Sequence, residues 1–275
     1  MSAPQTVAIR PDRGWLDLDL GALWRHRELV LVLMLRDIQI LYKQAAIGAA
    51  WAVVQPVMAV VIFTLIFGMF ARMPSDGVAY PVFAFAGVLP WNYFAEAVRR
   101  SGTGLVTDAE LVRKVYFPRL ITPFANVLSP LVDFAVAFLV LLVVMAFYGV
   151  APSWKLLAIV PLILICTALA LAIGLWLGPI NVRFRDVKHT LPFMLQLWMY
   201  ASPIVYPLSM VPEQWRGLYA LNPMVGVIEG FRWAILDRGE PDLFALSVSG
   251  VMILVLLVGG LVFFRRMERS FADVI

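Results

Sequence analysis

The feature that most constrains this chain is a series of long apolar stretches without charged residues. Residues 47–71 and 156–180 each contain no Asp, Glu, Lys or Arg. A helix of about 20 apolar residues is long enough to cross the roughly 30 Å hydrocarbon core of a bilayer. With 62% hydrophobic and only 15% charged residues, the chain is also more apolar than soluble domains. The sequence therefore predicts an all-α polytopic membrane protein.

Six stretches of this kind predict six transmembrane helices within one membrane domain, residues 47–275. Their expected limits are 47–71, 78–98, 126–150, 156–180, 190–211 and 243–264. A further apolar stretch, 218–228, is too short to cross a bilayer and is interrupted by Asn222-Pro223. We therefore expect short re-entrant helices over 213–237, before the last span.

Basic residues indicate the orientation. Of the 22 Lys and Arg, 17 fall in the N-terminal arm, in the second-to-third and fourth-to-fifth connections, and in the C-terminal tail. The positive-inside rule places these segments, and with them both termini, in the cytoplasm. Topology and anionic lipid thus account for the basic balance, and no base-reading motif suggests a nucleic-acid partner.

The N-terminal arm, residues 1–46, is predicted to be cytoplasmic and to contain an amphipathic helix. Trp24, Leu31 and Leu35 form an apolar stripe beside the charged residues Arg25 and Arg36. A helix of this composition is expected to lie along the cytoplasmic membrane interface.

The second-to-third connection is predicted to begin a short helix near Thr107. Thr107 and Glu110 have the spacing of a capping box, in which each side chain bonds to backbone at the helix start. Pro118 would end the helix. Two interpretations remain open at this point: a helix that rests on lipid headgroups, or a helix that docks a cytoplasmic partner.

Motifs for chemistry are scarce. The chain has no Gly-Lys dipeptide and hence no P-loop, so ATP energy would have to come from another polypeptide. His26 and His189 are isolated from Cys, which predicts no metal site. We therefore do not expect an enzyme or a cofactor bound to this chain.

Charged residues near membrane depth are candidates for function. Glu96 and Asp133 would lie at span ends, where water or the neighbouring arginines can satisfy them. Glu229 and Arg232 are three residues apart on a predicted helix, a spacing that allows an ion pair. That pair could simply neutralise a segment dipping into the membrane, or it could position an external gate.

Aromatic residues are plentiful in and near the first and fifth spans, and Phe63, Phe67 and Phe70 are predicted to share one helical face. They could pack against lipid, or they could line a pore on which sugar faces stack. The candidate channel-lining residues are Trp51, Phe63, Phe67, Phe70, Trp198, Tyr200 and Tyr206.

Four strings, taken together, resemble the ABC-2-type permeases of polysaccharide and O-antigen exporters. They are Leu35-Arg36-Asp37-Ile38 with 42–44, Gly48, Trp51 and Pro56; 112–118; 181–186 leading to Ser202-Pro203-Ile204-Val205-Tyr206; and Leu221-Asn222-Pro223 with Arg232. Together they extend over about residues 35–232.

The resemblance implies a homodimer in the bacterial inner membrane, with a channel at the dimer interface lined by spans one and five. Each subunit would dock a separate ATPase that binds ATP and Mg. The expected cargo is a lipid-linked polysaccharide. Capsular or teichoic-type polymers, and a small-molecule or lipid exporter, are alternatives; a membrane-integral glycan-modifying enzyme is a distant one.

The resemblance also assigns two candidate sites. The second-to-third connection would be the coupling helix, with ATPase contacts from Asp108, Glu110, Arg113, Lys114 and Tyr116. The external gate region would contain Asn222, Pro223, Glu229 and Arg232.

Overall fold

The computed structural model describes residues 20–43, 48–114, 117–238, 240–268 and 271, and these residues form helices and connections without a strand. The predicted all-α class is thereby confirmed. The helices are α1 Leu20–Arg25, α2 Arg27–Lys43, α3 Gly48–Phe63 with a π-helical continuation Thr64–Phe70, α4 Tyr80–Thr107, α5 Ala109–Lys114, α6 Ile121–Leu128, α7 Leu131–Phe147, α8 Ile159–Arg183, α9 Val187–Tyr200, α10 Glu213–Tyr219, α11 Pro223–Leu236 and α12 Leu243–Glu268.

Helix α4 is the centre of the fold, and 19 of its 28 residues are buried. It packs most closely on α8, where Gly174 and Gly178 face Ser101 and Leu105 of α4. A Cβ on Gly178 would lie 3.3 Å from the Leu105 side chain. Small residues allow this close approach of two helices.

Helices α4, α8 and α12 run in the same direction. Tyr93 meets Thr167 in the first half of α4 and α8, and Leu105 meets Gly178 towards the ends of both. Near the starts of α8 and α12, Leu162 and Leu246 both lie beside Gly230. Further along, Trp176 of α8 donates its indole N–H to the Leu256 carbonyl of α12 at 3.0 Å. The ends of these three helices therefore lie on one side of the bundle, which we call the Asp108 side.

Helix α9 runs against this direction. Its Leu191 lies beside Gly102, whereas Trp198, two turns later, packs against Trp91 and Phe94 near the middle of α4. The chain beyond α9 is thus carried to the end of the bundle where α4 begins. We call this end the Arg232 side.

Four helical stretches among the described residues are long and apolar enough to span a membrane: Val53–Phe70, Ile121–Phe147, Trp154–Arg183 and Leu243–Glu268. They correspond to the first, third, fourth and sixth predicted spans. Helix α4 contains Asn92, Glu96 and two arginines, and α9 has only 14 residues. The count of six crossings remains a prediction.

Three predicted span limits differ from the helices. The helix of the second predicted span, α4, continues beyond residue 98 to Thr107. The third is divided, since α6 ends at Leu128 and α7 begins at Leu131 after Pro130. The helix of the fifth ends at Tyr200, because Pro203 disfavours helical backbone at Ser202 and has no N–H to bond. The predicted domain boundary at 46/47 lies outside the described residues.

Candidate functional site

On the Arg232 side, a buried arginine holds a stretch of non-helical chain. Arg232 of α11 is only 4% exposed. Its guanidinium donates to the Glu229 carboxylate at 2.8 Å, which confirms the predicted pair. The same group donates to the carbonyls of Tyr206 at 3.2 Å and Ile204 at 2.7 Å.

Those two carbonyls belong to residues 204–206 between α9 and α10, which lie outside any helix. The carbonyl between them, that of Val205, accepts from the Tyr80 hydroxyl at 2.8 Å. Three consecutive carbonyls are thus satisfied by side chains from α4 and α11. Irregular backbone inside a membrane protein requires such partners, because an unpaired carbonyl there costs several kcal/mol.

Helix α4 shapes the space around the arginine. The guanidinium carbon lies 3.9 Å from the centre of the Phe83 ring, a cation–π contact. One turn later, Gly87 leaves room for the bound segment. A Cβ at Gly87 would lie 2.9 Å from the Ile204 carbonyl oxygen and 3.2 Å from the Arg232 guanidinium. We call Tyr80, Phe83, Gly87, Glu229 and Arg232 the Arg232 cluster.

Asn222 fastens the other end of this region. Its carboxamide oxygen accepts from the Met224 amide at 3.0 Å and so caps α11, whose first residue is Pro223. The same oxygen accepts from the Trp198 indole at 2.8 Å. The carboxamide nitrogen donates to the Ala201 carbonyl and the Ser202 hydroxyl, both at 3.0 Å. The predicted gate residues therefore gather around the end of α9.

The end of α11 is held by the connection before α8. Asp237, which ends α11 with a left-handed backbone at φ 53, lies 2.7 Å from the Lys155 ammonium. This hydrogen bond lowers the pKa of the Asp237 carboxyl. The same ammonium lies 5.4 Å from the centre of the Trp233 ring.

Five of the seven predicted channel-lining aromatics fall into two groups, and the other two, Phe63 and Phe67, are half-buried against the core. Trp198 and Tyr206 use their polar atoms within the chain, and the Tyr206 hydroxyl meets that of Tyr219 at 2.6 Å. The side chains of Trp51, Phe70 and Tyr200 are exposed by 59%, 81% and 60%.

The prediction that three phenylalanines share a face is wrong for Phe70. Phe63 and Phe67 pack edge to face at 5.9 Å. The π-helical turn that begins at Thr64 holds more residues than an α-turn and rotates Phe70 off that face. Whether these rings line a channel remains a prediction.

On the Asp108 side, a salt bridge joins the N-terminal helix to the break between α4 and α5. Arg36 donates to Asp108 at 2.8 Å and, through the same nitrogen, to Asp37 at 2.8 Å. Partial burial raises the pKa of the Asp108 carboxyl despite the attraction of Arg36. We call Arg36, Asp37 and Asp108 the Asp108 junction.

Helix α2 is bound to the protein through residues outside the predicted apolar stripe, and its position along the membrane interface remains a prediction. Val30 and Leu33 are buried against Phe117, Ile121 and Ala125, at and just before α6. The predicted apolar residues Trp24, Leu31 and Leu35 are more than half exposed. Helix α2 therefore has two apolar faces, one inside the protein and one directed outward.

Helix α5 begins at Ala109, near the expected position, but the predicted capping box is wrong. The Thr107 hydroxyl donates to the Thr103 carbonyl in the last turn of α4. Glu110 pairs with Lys114 at 2.8 Å, and these two side chains are 85% and 73% exposed. The side chain of Arg113 and the whole of Tyr116 lie outside the described residues.

The expectation that arginines satisfy Glu96 is confirmed. Its carboxylate accepts from Arg99 and Arg100 at 2.6 Å each. Arg100 also donates to Ser129 at 3.1 Å and lies 4.0 Å from Asp133. These contacts fasten the middle of α4 to the start of α7.

The two regions lie at opposite ends of one helix. Tyr80 is the first residue of α4, and Asp108 directly follows its last. A helix of 28 residues is about 40 Å long at a rise of roughly 1.5 Å per residue. Helix α4 therefore connects the Asp108 junction physically with the Arg232 cluster.

Sequence reasoning did not identify Tyr80, Phe83, Gly87 or Lys155 as site residues, nor the pairing of Arg36 with Asp108. No local pattern distinguishes these side chains from other residues of apolar helices. Their partners lie far away in the chain, as with Tyr80 and Val205, 125 residues apart.

Comparison with known proteins decides the family. The model of the ABC-2 type transporter family matches residues 28–236, which include both regions. The chain belongs to the ABC-2 type transporter family. As an ABC-2 transporter protein it is a membrane subunit and not an enzyme, and membership implies a partner ATPase subunit.

Three relatives of this ABC-2 transporter subunit are similar along nearly their whole length. The O-antigen export system permease protein RfbA of Myxococcus xanthus is 30% identical over 253 residues, 91% of this chain and 96% of the relative. The protein of the same name from Klebsiella pneumoniae is 26% identical, over 90% and 95%. The polysialic acid transport protein KpsM of Escherichia coli is 27% identical, over 88% and 94%.

Proposed function

We propose that the chain is the permease subunit of an ATP-driven exporter that moves a lipid-linked polysaccharide of the O-antigen type across the bacterial inner membrane. The observation that carries this proposal is the similarity to an O-antigen export permease over 91% of this chain and 96% of the relative. A match of that extent covers both the Asp108 junction and the Arg232 cluster, so it concerns the whole transport unit.

The arrangement of the helices supports an orientation with both termini in the cytoplasm. The ends of α4, α8 and α12 lie on the Asp108 side, and so does α2, which is bound to α6 and to Asp108. These are the four segments that carry 17 of the 22 Lys and Arg. The positive-inside rule makes this side cytoplasmic and the Arg232 side external.

In this orientation the Asp108 junction faces the ATPase. Glu110 and Lys114 project into solvent from α5, where a partner surface can pair with them. We assign the ATPase contact to Asp108, Glu110, Arg113, Lys114 and Tyr116. ATP and Mg would be bound by the partner, of which a homodimeric permease would engage two copies.

In the proposed cycle, α4 transmits movement from the Asp108 side to the Arg232 side. Closure of the ATPases on ATP would displace α5 and the Asp108 junction, and α4 would carry this displacement to the Arg232 cluster. Opening there would release the polysaccharide along a channel between the two subunits, with α3 and α9 as its walls. The coupling requires that ATP-bound and ATP-free partners make different contacts with α5.

The test is deletion of the gene in its host, with surface polysaccharide and the intracellular lipid-linked pool measured together. Loss of the surface polymer with accumulation of the lipid-linked form is expected, and wild-type gene supplied in trans should reverse both. An unchanged surface would contradict the proposal and favour a small-molecule or lipid exporter. An altered polymer without accumulation would instead favour a glycan-modifying enzyme.

A capsular polymer is the second candidate cargo, and the similarity to KpsM over 88% of the chain is the observation that favours it. The same deletion distinguishes the two, because the polymer that disappears from the surface can be identified by its sugar composition and by its lipid anchor.

A further inference from the structure

The end of α3 has an unusual conformation. From Thr64 to Phe70 the helix is π-helical, and the pattern continues into the connection, where the Ala71 amide donates to the Ile66 carbonyl at 2.9 Å. The Thr64 hydroxyl is buried and has no hydrogen-bond partner among the described residues. π-Helical turns are rare and occur frequently at functional sites, because an α-helix is the more stable alternative.

Tyr80 is in direct contact with this π-helical segment. Gly68 faces the tyrosine ring so closely that a Cβ on Gly68 would lie 2.9 Å from Cδ1 and 3.0 Å from Cγ. A ring packed on bare backbone follows any rotation of that backbone, since there is no flexible side chain between them to absorb the movement.

The other end of Tyr80 is bonded to the segment between α9 and α10. Its hydroxyl donates to the Val205 carbonyl at 2.8 Å, between the two carbonyls that Arg232 holds. A single side chain thus connects the end of α3 with the end of the α9 region. These two elements are far apart in the sequence, and Tyr80 itself is the first residue of α4.

We propose that the π-helical segment Thr64–Phe70 is a hinge of the external gate and that Tyr80 is the positioning residue that makes α3 and the 204–206 segment move together. The proposal rests on the proposed transport function. Return of the segment to α-helix would shift its register by one residue, which turns the end of α3 by about 100°. Tyr80 would transmit that rotation to the Val205 carbonyl.

The experiment uses the complex of this chain with its ATPase in lipid nanodiscs and two separate reporter variants, F70C and M210C. Phe70 and Met210 are exposed by 81% and 49%, at the end of the hinge and just beyond the 204–206 segment. Cys166 is the only natural cysteine of this chain and is fully buried, so labelling is read on this chain after it is separated from the ATPase on a gel. The labelling rate of each reporter with a water-soluble maleimide is measured without nucleotide and with ATP.

Both reporters should change their labelling rates with ATP in the parent complex. Tyr80→Phe removes only the hydroxyl, and we expect the two responses to separate, with loss of the change at M210C. Tyr93→Phe is the matched control. It removes a buried hydroxyl of the same helix that bonds the Val127 carbonyl and Thr167 but touches neither hinge nor segment.

A second variant tests the other contact. Gly68→Ala places a methyl group against the Tyr80 ring and should also separate the reporters, whereas Gly250→Ala, which has open space within 4 Å, should not.

If both reporters still changed their labelling rates with ATP in the Tyr80→Phe complex, the assignment of Tyr80 would be overturned. An equal loss of the change at M210C in the Tyr80→Phe and Tyr93→Phe complexes would overturn it as well. Paired responses in the Gly68→Ala complex would overturn the hinge. A parent complex in which neither reporter responds to ATP would also overturn the hinge, whereas the proposed transport function is tested separately by the gene deletion.

Discussion

The Arg232 cluster and the Asp108 junction are both built around an arginine and a carboxylate, but they differ in burial. Arg232 is 4% exposed and also holds two backbone carbonyls. The side chain of Arg36 is 33% exposed, and its ion-pair partners are carboxylates. A buried pair is costly to break, whereas a partly exposed pair contributes little to stability. The comparison indicates a fixed anchor at one end of α4 and an adjustable contact at the other.

The largest effect is expected at Arg232. Arg232→Met keeps an unbranched, flexible stem but leaves Glu229 unpaired and removes the donor from two carbonyls. Breaking a buried pair costs about 3–5 kcal/mol, so we expect a large fall in thermal stability and in the amount of protein in the membrane, with loss of export.

The matched control is Arg216→Met on α10. Arg216 also has a glutamate three residues earlier, but the pair is long, at 3.9 Å, and exposed. Normal protein levels and normal export in the Arg232→Met variant would contradict the conclusion that Arg232 is a fixed anchor.

Gly87→Ala should give the next largest effect. The new methyl group would stand 2.9 Å from the Ile204 carbonyl oxygen and must displace it or Arg232. Overpacking of a buried site costs about 1–3 kcal/mol, which thermal unfolding of the purified protein would detect. Gly250→Ala, in open space on α12, should be neutral or stabilising. Equal unfolding temperatures for both variants would show that the 204–206 segment is not closely held.

Substitutions in the Asp108 junction should have the opposite result. We expect a change in the coupling between the ATPase and export, and no loss of stability. Partial burial raises the pKa of Asp108, so the folded state favours the protonated acid. The free energy of unfolding therefore falls as pH rises through this pKa and Asp108 ionises. Asp108→Asn should leave the unfolding temperature at neutral pH equal or slightly higher, while export and ATPase stimulation fall.

Charge reversal sharpens this test. Asp108→Arg alone should abolish export, and the combination with Arg36→Asp should restore part of it, because the pair is re-formed in reverse. Lower unfolding temperatures in Asp108→Asn would contradict the comparison, since the junction would then be an anchor as well.

The smallest effect is expected at the end of α11. Asp237→Asn keeps a residue that tolerates left-handed backbone but removes the charge that Lys155 contacts at 2.7 Å. Because the pKa of Asp237 is lowered, the ion pair contributes to stability at pH values above the ordinary Asp pKa. That contribution is lost as pH falls through the pKa of the folded state. A small drop in unfolding temperature at pH 7 should therefore vanish in acid. A drop that persists there would mean that the ion pair is not its cause.

The sequence alone was sufficient for the parts of the fold that depend on local composition. Uninterrupted apolar stretches predicted the helices that contain Val53–Phe70 and Leu243–Glu268. The i, i+3 spacing predicted the Glu229–Arg232 pair, because residues at this spacing are neighbours on any helix.

Contacts between distant parts of the chain were not predictable in the same way. The face of α2 that binds the protein was not predicted, because Val30 and Leu33 are no more apolar than Leu31 and Leu35. The capping box failed because α4, stabilised by α8 and α6, continues through Thr107. The Arg36–Asp108 bond joins residues 72 positions apart, a separation at which single-sequence patterns carry no information.

The dependence of residues 204–206 on side chains has a consequence for biogenesis. Arg232 follows Ile204 by 28 residues, so at roughly 5–20 residues per second the ribosome reaches the arginine seconds after the carbonyls that it will bind. During that interval Tyr80 is already available and the remaining carbonyls depend on water or on the insertion machinery. The three carbonyls are all satisfied only once α11 has docked, and a nascent chain stopped before residue 229 cannot complete the Arg232 cluster.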